Sequence, residues 1–107
     1  MALLDRAAAE RYASWFRALA DPTRVQLVEL LARTKRPMNV GELVASMGLA
    51  QSTVSQHLKI LAEVRFVLVD PVGTARHYRI NDRCVASFPT AADLLMGRPA
   101  PSAPVGG

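Results

Sequence analysis

Met38-Asn39-Val40-Gly41-Glu42-Leu43-Val44-Ala45-Ser46-Met47-Gly48-Leu49-Ala50-Gln51-Ser52-Thr53-Val54-Ser55-Gln56-His57-Leu58-Lys59-Ile60-Leu61 holds two short helical patterns joined by a corner at Gly48. The second pattern decides the fold. Val54, Leu58 and Leu61 recur at i, i+4 and i+7, which is one face of a helix. The opposite face carries Ser52, Gln56 and Lys59, flanked by Thr53 and Ser55, with no bulky apolar group among them. Short hydroxyl and amide side chains on a solvent-facing helix are adaptable donors and acceptors for base edges in a major groove. A short helix, a tight turn and a polar-faced second helix predict a helix-turn-helix, and with it sequence-specific DNA binding.

The signals around this stretch mark helix ends. Asn39 followed by Glu42 has the spacing of a capping box, and Gly48 suits the left-handed residue after the first short helix. Ala50 lacks a capping oxygen in front of the polar-faced helix, expected over about Gln51 to Glu63, so Gln51 or Ser52 must compensate or the end frays. Upstream, Asp21-Pro22-Thr23-Arg24 starts another helix, with Asp21 as cap and Pro22 where a missing N–H does no harm. Val25, Val28, Leu31 and Ala32 carry it to about Arg33, and Thr34-Lys35-Arg36-Pro37 breaks it. Leu4, Ala8, Tyr12, Trp15, Phe16 and Leu19 predict a first amphipathic helix from about Leu4 to Leu19. Its apolar coverage is wide. Packing against a twin subunit and ordinary core burial both fit that width.

Downstream, Phe66 to Asp70 reads as a strand, Pro71-Val72-Gly73-Thr74 as a turn, and Ala75 to Ile80 as a second strand with Tyr78 and Ile80 on one face. A hairpin after a helix-turn-helix is a wing. Arg76, His77 and Arg79 place positive or switchable charge along it, suited to phosphate or minor-groove contact. Asn81 or Asp82 can cap a last helical segment from about Arg83 to Met96, interrupted between Ser87 and Pro89 because proline breaks a helix interior. Residues 98–107 form a low-complexity tail expected to be disordered. The predicted fold is mainly α with a two-stranded β wing, a winged helix-turn-helix of order α-α-α-α-β-β-α, in one domain over residues 1–97.

Bulk properties bound the partners. The chain has 107 residues, half of them hydrophobic, and a net charge of +4. That surplus permits a polyanionic partner without requiring one. A chain this small is often marginal alone, so dimerisation would help. The single cysteine, Cys84, excludes an intrachain disulfide. Neither a signal peptide nor a membrane-length apolar run is visible, so a cytoplasmic setting is expected.

Ala18-Leu19-Ala20-Asp21-Pro22-Thr23-Arg24, then Gln51 to Leu61, then His77-Tyr78-Arg79-Ile80, resemble the ArsR/SmtB (arsenic-repressor) family of bacterial winged-helix regulators. The resemblance runs from about Leu4 to Ile80. It implies a homodimer paired through the first and last helices, with each recognition helix in one half of a palindromic operator. Half-sites one helical turn apart, about 34 Å, are usual for such dimers. By position it puts DNA contact on Gln51, Ser52, Ser55 and Gln56, with Thr53 and Lys59 as neighbours; on the wing the nearest basic side chain is Arg76, and the charge read along the hairpin adds His77. Thr74 stands where the family often has Arg after the turn glycine. His57 lies nearer the buried side and reads as packing or an intrahelix hydrogen bond.

The family's thiolate metal site would fall in Asn39-Val40-Gly41-Glu42-Leu43, which has no cysteine, and its Asp/His site would need histidine in the last helix, which has none. His77, Asp82 and Cys84 remain as a sparse set of potential ligands for a transition-metal ion, in a spacing that matches no metal motif. Cys84 suits either a redox role or simple burial, the latter fitting better. No cofactor is otherwise indicated. Ser52 and Ser55 lie near His57, but no acid is placed to orient the ring and no glycine-rich phosphate loop exists, so an enzyme is not expected. The reading is a DNA-binding transcriptional regulator, more a repressor than an activator; the alternatives are a winged-helix protein-interaction module and a transcriptional activator without a metal signal.

Overall fold

The structure, a computed structural model, describes residues 3–83 together with Asp93 and Met96. Helix α1 spans Arg6–Ala18, α2 Pro22–Thr34, α3 Val40–Met47 and α4 Gln51–Glu63; strand β1 is Met38–Asn39, β2 Val67–Val72 and β3 Ala75–Ile80. This is the winged helix-turn-helix expected. The last helical segment, expected over about Arg83 to Met96, lies mostly outside the described residues, as do Cys84 and the tail over 98–107.

Local chemistry sets most boundaries. Asp5 accepts the Ala8 N–H at 2.7 Å, so α1 begins at Arg6, two residues inside the expected start at Leu4. Asp21 caps α2 by accepting from the Thr23 and Arg24 N–H groups, with Pro22 at the first position. Lys35 closes that helix in the left-handed region, at φ 59°. Along α2 the buried residues are Leu27 and Leu31, one turn apart, whereas Val25, expected on the apolar stripe, is 48% exposed. The helix turns its leucines inward because the larger side chains bury more apolar area.

The core gathers at the centre of the four helices. Trp15, Leu27, Leu31, Leu43, Val54, Leu58, Leu61, Phe66 and Tyr78 are buried together. Each fully buried Leu contributes roughly 1.5–3 kcal/mol relative to exposure. Trp15 bridges α1 to the rest, its ring centroid 5.4 Å from Tyr12 and 6.1 Å from Phe66.

The sheet differs from expectation in three places. It has three strands, in order β1-β3-β2, because Met38 and Asn39 pair with Tyr78 and His77. The extended backbone that Asn39 needs as a helix cap also suits a strand, and Met38 buries against the core beside Tyr78. The hairpin turn is also tighter: Pro71 and Val72 belong to β2, opposite Arg76 and Ala75, leaving Gly73-Thr74 as a two-residue loop. Gly73 supplies the positive φ (61°) such a loop needs. A proline is tolerated there because β2 is the edge strand. Phe66, read as the strand's first residue, instead completes the end of α4. Its N–H reaches the Leu61 carbonyl (3.0 Å) while the Arg65 N–H reaches that of Ala62, a Schellman closure with Arg65 at φ 62°.

Candidate nucleic-acid interface

Helix α3 is fastened at both ends. The Asn39 side chain accepts the Glu42 N–H (2.8 Å), and Glu42 Oε1 accepts the Asn39 N–H (3.1 Å), completing the expected capping box. Arg36 donates to the other Glu42 oxygen at 2.8 Å. That bond, first, and the one from the Asn39 N–H hold the Glu42 carboxyl below its ordinary range. Gly48 ends α3 at φ 68°, its N–H on the Val44 carbonyl. A β-carbon there would meet open space, so the backbone angle alone asks for glycine. The corner then aims α4.

Helix α4 buries Val54, Leu58 and Leu61 and turns the opposite side outward. Gln51, Ser52, Thr53, Gln56 and Lys59 are exposed and Ser55 is half-buried. Ala50 provides no side-chain cap, so the N–H groups of the first turn have no side-chain acceptor, and neither Gln51 nor Ser52 takes that place.

The outward residues fall into two rows. Gln51, Ser55 and Lys59, one turn apart each, line a cleft of about 840 Å³ whose far wall includes Thr74, Arg76 and Tyr78 of the hairpin. Ser52, Thr53 and Gln56 lie outside that lining, on the free side of the helix. The wing residues also part company. Arg76 faces the cleft, while His77, the next residue along β3, points to the opposite side of the sheet, paired with Asn39 and Asp70. Arg79 shares that outer side and donates to Asp70 at 2.7 Å. Asp82 and Arg83 are helical, and among the described residues no group of three or more His, Cys, Asp or Glu is placed to hold a metal ion.

His57 does not bond within its own helix. Its Nδ1 lies 3.2 Å from Nη1 of Arg24, on α2. Arg24 Nε donates in turn to the Ala18 carbonyl at the end of α1, at 2.6 Å. Sequence reading missed this residue. Arg24 stood in the helix-start motif, but no local pattern tied it to a histidine 33 positions on.

Residues 21–68 match the family described as "Bacterial regulatory protein, arsR family". The chain is 41% identical over 83 residues to an HTH-type transcriptional regulator of Mycobacterium tuberculosis, covering 78% of this chain and 76% of that protein. It is 39% identical over 80 residues to a "Transcriptional repressor SmtB homolog" of Synechocystis, covering 75% of this chain but only 59% of that protein's length. Among solved structures, an ArsR-like transcriptional regulator from a Rhodococcus species superposes with a TM-score of 0.75 over 85% of this chain and 84% of that one, at 21% identity. That likeness concerns the fold.

Proposed function

The chain belongs to the ArsR family of bacterial regulatory proteins and is a DNA-binding transcriptional regulator; we propose that it acts as a cytoplasmic repressor, seated as a homodimer on a palindromic operator. One observation carries the reading. The exposed side of α4 is a polar ridge of Ser52, Thr53 and Gln56, and the adjoining cleft sets Gln51, Ser55 and Lys59 of α4 opposite Arg76 of the hairpin.

Each part has a role in this reading. Ser52 and Gln56, with Thr53 beside them, read base edges in the major groove. Gln51, Ser55, Lys59 and Arg76 hold the sugar-phosphate backbone that runs between helix and wing, which fixes register without reading sequence. The uncapped first turn of α4 suits a phosphate oxygen, since its free N–H groups and the helix dipole both favour an anion. His77, on the far side of the sheet, has no part in this cleft. The dimer pairs through α1 and the last helix, and apolar exposure at α1 and just before it supports this: Phe16 is 36% exposed and Leu4, ahead of the helix, 37%. Repression follows by occlusion of a promoter.

The test is a selection of duplexes from a random-sequence pool, followed by sedimentation of the bound species. A repeated, inverted half-site bound by two protomers is expected. Absence of any enriched duplex, or a single protomer on the enriched one, would defeat the reading.

A further inference from the structure

Arg24 joins three elements. Its backbone N–H is held by Asp21 at the start of α2, its Nε by the Ala18 carbonyl at the end of α1, and its Nη1 faces His57 Nδ1 on α4. A guanidinium has donors only and stays charged at any physiological pH. His57 Nδ1 must therefore be the acceptor, which places the neutral ring's proton on Nε2. Protonating Nδ1 removes the lone pair and sets two cations 3.2 Å apart. The Asp21 carboxylate, whose charge interacts with both Arg24 and His57, then becomes the attractive neighbour for the imidazolium. The ring's neighbours one turn away on α4, Thr53 and Leu61, carry no charge.

We propose that Arg24 and His57 are positioning residues for DNA binding: the neutral His57 ring latches the recognition helix to the α1–α2 corner, and protonation of His57 opens the latch. This rests on the DNA-binding reading above. His57 directly follows Gln56 and lies two residues after Ser55, so a small roll of α4 shifts both contacts together. Because the same guanidinium grips the end of α1, the proposed dimer helix and the reading helix share one fastening point. A loss of binding on acidification is the signature. Histidine contact with phosphate would do the reverse, since a protonated ring attracts an anion.

The probe is the duplex enriched by the wild-type protein, titrated from about pH 8 to about pH 5, the range in which histidine changes charge. Wild-type affinity should fall about tenfold, in line with coupling between residues in direct contact. His57→Asn, which keeps an acceptor oxygen near the Nδ1 position but cannot titrate, should flatten that slope whatever its affinity at neutral pH. Arg24→Lys keeps the charge but cannot reach Ala18 and His57 at once; it should weaken binding and flatten the slope. His77→Asn alters the other histidine and should keep the wild-type slope. Thermal melts at each pH confirm folding. Should Arg24→Lys unfold, nitrogen NMR of His57 in the wild type decides, with the proton expected on Nε2. A wild-type slope retained by His57→Asn, no fall in wild-type affinity, or a proton on Nδ1 overturns the latch alone. Failure to enrich any duplex removes the DNA-binding reading and the latch with it.

Discussion

Helix α4 and the wing face each other across one cleft, yet they are specified in different ways. Helix α4 is held by three buried side chains at helical spacing and by the Schellman closure at its end, all within residues 51–66. The wing depends on pairing over longer distances: β3 sits between β2 and a two-residue strand nearly 40 positions earlier in the chain. Strand pairing must overcome more loop-closure entropy than a helical turn. The helix is thus a rigid presenter of polar groups, while the wing's place depends on the whole domain having folded. Affinity that reads sequence should depend on the outer row of α4, and affinity that reads charge on the wing and the α4 row that faces it.

The harshest challenge to this contrast is Leu58→Ala. Leu58 is fully buried, so truncation should lower stability by about 2–5 kcal/mol in chemical denaturation, and DNA binding should vanish with the fold. Gln56→Ala leaves the core alone and should weaken binding to the enriched duplex by about 1–3 kcal/mol, with little change on random DNA. Arg76→Ala should weaken both kinds of DNA alike and lower the salt slope by about one, as measured by titration at several salt concentrations. If Gln56→Ala reduced random and enriched binding equally, the split between reading row and backbone cleft would be wrong. The mildest change is Arg65→Gly, which relieves a left-handed residue at the end of α4 and should raise stability by about 0.5–1 kcal/mol in the same denaturation assay.

Much of the fold was legible because its signals are local. The Asn39–Glu42 box, the Gly48 corner and the apolar spacing of Val54, Leu58 and Leu61 each lie within a turn or two of the element they define. Strand β1 escaped notice because two residues carry no periodicity, and its pairing is visible only once Tyr78 and His77 arrive beside it. Pro71 looked like a turn residue for the usual reason that it cannot donate. Only the strand order shows that an edge position excuses it. The site was legible as a list of side chains but not as an arrangement. Residues 51, 55 and 59 could be read as a row from spacing, but what faces them could not.

The amino-acid sequence alone determined where α2, α3 and α4 begin and end and which side of α4 is buried, along with the chemical character of its outer side, since capping, helical period and side-chain polarity act within a few residues. Tertiary structure alone decided that Arg76 shares a cleft with Lys59 while its neighbour His77 turns away, and that Arg24 rather than a residue of α4 meets His57. Those relations come from strand register and helix packing, which bring together groups that no local pattern links.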